Sequence, residues 1–479
     1  MTTGAIWMSL LRFTYRIIGL ISTVILARLL TTDDFGVAAI AMSIFAIINI
    51  FSQFGFETVL IQKKNVTEND YNTAWSFNFL FGVLASVFLF SISSLVADFY
   101  QNEDLGSITK VIAFMFLLHG FRNIGVVDFQ KNLTFDKEFK LHVIPKFISF
   151  FITIGLAFYY ENYWALVVGN VAWKAIEVVN SYLMHPFRPK FCFKSSAQLF
   201  GFSKWLMANN FLNIVNTRSP ELILGKLLSP HAAAIFNLAA EIGQMATSEI
   251  IANLNRAIYP GYAKVANDLG ELRSLYLGTI RVIAFIAMPL GAGLALVAHF
   301  VVPLMLGDQW LEAIEPLIYL ALAGSFYALK SNSNYIYFSI GNPKIASFEL
   351  AIRAVIFLTA MFFLVNSNGV VGATQSFLIT SIVMFVVSNL IMKLVLGIGF
   401  WKQTYIYFKP VVSTLIMSFA VYLYTEITVL KSMFGNLFIS IAIGGFVYIG
   451  SVYAVWFLSG RKDGVELQAF HFITSKFKG

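Results

Sequence analysis

Arg12 and Arg16 stand four positions apart inside an otherwise apolar stretch. On a helix that spacing projects both guanidinium groups from one face, a doubled positive charge that suits a phosphate far better than hydrocarbon. The competing reading is that they snorkel to the headgroups, as basic side chains near helix ends do. Lys174, Arg218, Lys330 and Arg353 also fall within apolar runs. An ionisable group at such a place costs about 2.5–3.5 kcal/mol on insertion scales, so it normally faces a protein interior or a wet cavity. The six together put more basic than acidic charge inside and predict an anionic cargo. Lys174 and Glu177, three apart, could instead neutralise each other as a structural ion pair.

Uncharged polar residues repeat along the same segments. Asn49, Gln53 and Glu57 follow one another at i,i+4; Asn209, Asn213 and Asn216 form a stripe with Arg218 and Glu221 beyond it; Asn237, Glu241, Gln244 and Ser248 share another face. Such stripes line a wet lumen or stitch helices together inside a bilayer. Glu57 and Glu241 are the acidic exceptions, candidates for coupling to a proton or sodium ion, since a partly buried carboxylate can titrate near neutral pH. Each could equally be a neutral hydrogen-bonded group or the partner of an arginine. Six scattered histidines and the absence of HExxH, GxSxG, GxxxxGK[ST] or an acidic metal cluster argue against an enzyme, a resident metal, any cofactor beyond a coupling ion, and direct use of ATP.

The elements that must hold these residues are membrane helices. The 479 residues are 58% hydrophobic and 12% charged, with mean hydropathy +0.75, against about 25% charged for soluble domains. Apolar runs near the ~20 residues needed to cross a ~30 Å hydrocarbon core recur along the chain, without the alternation of barrel strands. The fold class is therefore all-α and polytopic, with about 14 transmembrane helices: 5–27, 36–60, 74–97, 106–126, 142–160, 163–184, 203–227, 233–255, 276–303, 313–340, 344–365, 369–392, 406–425 and 434–458. The first run lacks a basic n-region and a small-residue cleavage site and is expected to stay. Cys192, the single cysteine, excludes an internal disulfide and is read as inert.

Lysines and arginines concentrate in every second loop, for example Lys63 and Lys64, then Lys131, Lys137 and Lys140, then Arg188, Lys190 and Lys194. The positive-inside rule then puts both termini in the cytoplasm. The net charge of +8 follows this alternation and does not gather in one domain, so nucleic acid is not an expected partner. Val24–Thr31 and Leu222–Ser229 match in their apolar, basic and hydroxyl positions, as a parallel repeat requires. The expected organisation is a six-helix bundle over 1–184, a basic cytoplasmic linker over 185–202, a second six-helix bundle over 203–395, and two extra helices with a cytoplasmic tail over 396–479.

Ala27-Arg-Leu-Leu-Thr-Thr-Asp-Asp-Phe-Gly36, Lys131-Asn-Leu-Thr-Phe135, Pro186-Phe-Arg-Pro-Lys190 with Phe200-Gly-Phe-Ser203, Leu224-Gly-Lys-Leu-Leu228 and Gly307-Asp-Gln-Trp310 follow in order along nearly the whole chain. In these residues the sequence resembles the Wzx-type polysaccharide flippases, of the colanic-acid exporter type, related to multidrug exporters and the lipid II flippase. The resemblance implies a V-shaped pair of six-helix bundles that alternates access. It also implies a cargo, an undecaprenyl-pyrophosphate-linked oligosaccharide moved from the inner to the outer leaflet of a bacterial inner membrane for surface polysaccharide. The family's cationic cavity maps onto Arg12 and Arg16, and less securely onto Arg218 and Arg353. Expected partners are the lipid-linked oligosaccharide, the bilayer, and a polysaccharide polymerase with its chain-length regulator. Ser229-Pro-His-Ala-Ala-Ala234 departs from the family pattern by lacking a glycine pair, which leaves the shape of that turn open. A drug exporter of the same fold would favour acidic or aromatic lumen groups, and a membrane-embedded polymerase would need a larger outward loop.

Overall fold

The computed structural model describes residues 2–50, 56–63, 65–427 and 432–459, with the backbone alone at 2–6, 62, 197–209, 246, 248 and 249. Among the described residues the regular structure is helical. The helices are α1 (Thr2–Leu29), α2 (Thr32–Asn49), α3 (Phe56–Gln62), α4 (Glu68–Tyr100), α5 (Glu103–Phe121), α6 (Val127–Lys131), α7 (Phe135–Tyr160), α8 (Trp164–Met184) and α9 (Ser196–Leu227). They continue as α10 (Pro230–Lys264), α11 (Leu269–Leu296), α12 (Ala298–Met305), α13 (Ile314–Ser331), α14 (Ser333–Ser339), α15 (Pro343–Leu396), α16 (Phe400–Ile427) and α17 (Met433–Leu458). Ten helical stretches among the described residues are long and apolar enough to cross a membrane, and the chain is a multi-pass membrane protein.

Helix occupies each of the fourteen expected spans, once α15 is resolved into two. Gly369 takes φ 57° and ψ −132°, outside helical values. The rings of Phe357 and Phe377 lie 5.8 Å apart, whereas twenty residues of straight helix would separate them by about 30 Å. The element is thus an antiparallel hairpin turning on one glycine. The second span is α2 followed by α3, and residues 51–55 between them, with Gln53, lie outside the described residues.

The chain divides into two compact units, Met1–Ala234 and Ile235–Gly479. In the first, α4 packs along α5, α7 joins α1 to α8, and α2 lies against α9. The repeat-related junctions perform the same local task there. Thr31 caps α2 by accepting from the Asp34 N–H, with Asp34 answering the Thr31 N–H as a capping box. Ser229 Oγ likewise accepts from the Ala232 N–H at 3.2 Å at the start of α10. Pro230, whose missing N–H costs nothing in a first helical turn, follows that cap. The Ser229–Ala234 segment is therefore a capped helix start, with Ala232, Ala233 and Ala234 buried. Gly36 lies so close to the Pro230 carbonyl that a Cβ would come within 1.8 Å of its oxygen. In the second unit α11 packs on α13 and α16, and α13 on α15. Its core gathers Tyr262, Tyr276, Ile280, Ile283, Tyr337 and Met392.

Candidate functional site

In the first unit α1, α7 and α8 bring charged and aromatic side chains together. Pro145 inside α7 has no N–H to offer the Leu141 carbonyl one turn earlier. Asn180 Nδ2 of α8 donates to that carbonyl at 3.1 Å, tying the two helices at the break. The next residue, Lys146, holds its ammonium 5.5 Å from the Tyr15 ring of α1 and 5.5 Å from the Trp173 ring of α8. Lys174 lies over the same indole at 4.5 Å. Tyr15 and Trp173 meet edge to face, centroids 6.3 Å apart. Arg12 and Arg16 are half-buried on α1 on either side of Tyr15. Nη1 of Arg12 is buried without a hydrogen-bond partner among the described residues.

The acidic counterpart is one buried carboxylate serving several cations. Glu177 Oε2 is 2.8 Å from Lys174 Nζ. Its Oε1 lies 3.7 Å from Arg122 Nε and 3.9 Å from His142 Nδ1. Arg122 Nη1 donates to Glu57 Oε1 at 3.1 Å, and His142 Nε2 is 3.3 Å from Glu138 Oε1. Lys174 and Glu177 are thus the ion pair that their spacing allows, and Glu57 is the partner of an arginine. Among the described residues the basic side chains Arg12, Arg16, Lys146 and Lys174 are carried on α1, α7 and α8, the helices that hold Tyr15 and Trp173. Guanidinium and ammonium groups are good donors to phosphate oxygens.

The remaining expected residues are placed differently. Asn49 is half-buried at the end of α2. Asn213 is exposed, while Asn216 is buried and donates to the Leu212 carbonyl of its own helix at 2.8 Å. Asn209 and Ser248 fall where only the backbone is described. Arg218 Nη1 lies 3.4 Å from Glu221 Oε1.

In the second unit Glu241 is half-buried on α10. Lys330 is buried and paired at 2.8 Å with Glu349 Oε2, whose other oxygen accepts from Tyr337 OH at 2.6 Å. A neutral network continues beside it: Asn332 Nδ2 donates to Asn255 Oδ1 at 2.7 Å, Tyr262 OH to Asn332 Oδ1 at 2.7 Å, and Ser388 Oγ to Ser333 Oγ at 2.9 Å. Arg353 stacks its guanidinium 4.8 Å from the Tyr327 ring and 5.2 Å from that of Phe377. Lys146, Arg122 and Glu349 went unnoticed in the sequence. Lys146 carried the signal that picks out Lys174, a basic residue within an apolar run.

The fold is one that solved membrane transporters share. It superposes on lipid II flippase MurJ in an inward closed conformation with a TM-score of 0.78 at 16% identity, covering 94% of this chain and 98% of that one. An inward-facing multidrug resistance MATE family transporter of the MOP superfamily follows with a TM-score of 0.60 at 13% identity, over 81% of this chain and 98% of that one. Residues 25–315 match the family described as polysaccharide biosynthesis protein, and the chain belongs to that family. Similar proteins include the lipopolysaccharide biosynthesis protein WzxC of Escherichia coli, 24% identical over 87% of each chain. The teichuronic acid biosynthesis protein TuaB of Bacillus subtilis is 23% identical over 93% of this chain and 94% of its own.

Proposed function

We propose that this protein is a flippase that carries an undecaprenyl-pyrophosphate-linked oligosaccharide from the cytoplasmic to the periplasmic leaflet of the inner membrane by alternating access, in the synthesis of a surface polysaccharide. The observation that carries the reading is the two ammonium groups, of Lys146 and Lys174, held over the Tyr15 and Trp173 rings, with Arg12 and Arg16 half-buried on the helix that carries Tyr15. A pyrophosphate needs fixed positive charge to leave the headgroup region, its glycan needs polar surroundings, and its polyprenyl tail can stay in lipid. In this reading Arg12 and Arg16 contact the pyrophosphate. Lys174 and Lys146 extend the field, Asn49, Gln53, Asn209 and Asn213 meet the glycan, and Arg218, Arg353 and Lys330 are secondary. Glu57, whose carboxylate accepts from Arg122, and Glu241 are the candidates for coupling to a proton or sodium ion. The alternation of basic loops supports cytoplasmic termini, and a polysaccharide polymerase with its chain-length regulator would act on the delivered cargo.

The test is translocation of a fluorescent undecaprenyl-pyrophosphate oligosaccharide in proteoliposomes. Arg12→Ala with Arg16→Ala is expected to abolish it while the protein remains inserted. Undiminished flipping by that variant would sink the assignment. Glu241→Gln is expected to slow flipping, and indifference of the native protein to both proton and sodium gradients would remove the coupling role.

A further inference from the structure

The connection 185–194 is a structured surface as well as a link. Pro186 and Pro189 deny it a helix, and His185–Phe193 carries no regular secondary structure. Its backbone is nonetheless pinned along the first turns of α4. The Lys190 N–H donates to Asn72 Oδ1 at 2.7 Å, the Cys192 N–H to Ser76 Oγ at 2.9 Å, and the Ser195 N–H to Thr73 Oγ1 at 3.3 Å. Asn123 Nδ2 donates to the carbonyls of His185 and Phe187 at 3.3 and 2.9 Å. Asn72, Thr73 and Ser76 are buried polar side chains of a membrane helix, and this strap is what satisfies them.

The strap presents a mixed face outward. Phe191 is 65% exposed while its ring touches Trp75 and Phe79, and Phe193 is 50% exposed beside Phe77. Further along α4, Leu80 and Leu84 are also exposed, which marks the helix face that meets acyl chains. The two phenylalanines therefore sit where headgroups give way to hydrocarbon. Lys190 and Lys194, alternating with them, are exposed and make no ion pair among the described residues. Arg188 is spent internally, its guanidinium donating to the carbonyls of His185, Phe187 and Tyr182. Exposed aromatic rings at the acyl boundary beside unneutralised ammonium groups are complementary to a phospholipid with a net negative headgroup.

We propose that the 185–194 strap is a docking site for an anionic phospholipid, with Lys190 and Lys194 meeting the headgroup phosphate and Phe191 and Phe193 meeting the upper acyl chains. The site is separate from the cation cluster around Tyr15, and its occupant is a membrane lipid of the leaflet on that side. Native mass spectrometry of the delipidated full chain, titrated with phosphatidylglycerol or phosphatidylcholine, reads the dissociation constant of the first bound lipid. Lys190→Gln with Lys194→Gln is expected to weaken phosphatidylglycerol at least three-fold and leave phosphatidylcholine unchanged, and Lys190→Arg with Lys194→Arg is expected to retain the native preference. Phe191→Ser with Phe193→Ser is expected to weaken both lipids. The proposal is overturned if the glutamine variant binds phosphatidylglycerol as the native chain does, if the arginine variant loses the preference as well, or if glycerol phosphate displaces the lipid at equal concentration.

Discussion

The two units seat their intramembrane lysines differently. In Ile235–Gly479 the ammonium of Lys330 is answered, among the described residues, by Glu349, and that carboxylate is completed by Tyr337, so the pair is closed. In Met1–Ala234 one carboxylate, Glu177, is shared among Lys174, Arg122 and His142, of which Arg122 also meets Glu57 and His142 also meets Glu138, while Lys146 lies over the Tyr15 and Trp173 rings. A closed pair contributes conformational specificity and little net attraction, because desolvation offsets most of the Coulomb energy. A shared carboxylate has no single partner to close it, and in the proposed reading it borders the anion site. One unit thus shares a carboxylate among several groups and the other closes a pair, although both are built from basic residues in apolar runs.

That contrast can be broken from either side. The largest functional effect is expected from Arg12→Ala with Arg16→Ala. Losing two charge-assisted contacts worth about 1.5–3 kcal/mol each lowers flipping by on the order of 100-fold or more, with the melting temperature in detergent unchanged. Glu349→Ala should do the reverse, destabilising the fold by about 3–5 kcal/mol through the uncompensated buried ammonium. Pairing it with Lys330→Met should recover most of the thermal stability, and a double variant no more stable than the single one would show that the pair is more than a brace. Lys146→Gln is expected to reduce flipping by about ten-fold, near 1.4 kcal/mol, at constant stability. A rate equal to native would confine the cluster to Arg12, Arg16 and Lys174. The smallest effects belong to the caps: Thr31→Ala and Ser229→Ala should each cost about 1 kcal/mol in unfolding free energy and leave cargo affinity alone.

Much of this arrangement could be read from residue order, for reasons that differ by element. Span length reports a solvent boundary, which acts on every residue of a segment at once, so the all-helical, multi-pass architecture was visible. The Lys174 and Glu177 pair was visible because helical spacing joins residues three apart. Lys330 looked like surplus positive charge because Glu349, nineteen positions on, reaches it only through packing. Arg122 and Glu57 are sixty-five positions apart, and no helical period connects them. The Gly369 turn falls on the first residue of the expected span 369–392, so its place was legible to within a few residues although its single-residue length was not.

That length bears on how the chain enters the bilayer. With one glycine between them, the arms of 343–396 share a tip of three exposed polar residues, Asn366, Ser367 and Asn368. A connection this short gives the first arm no slack to settle before the second arrives. The hairpin is therefore expected to partition from the translocon as a single object, carrying only that small polar tip across the hydrocarbon.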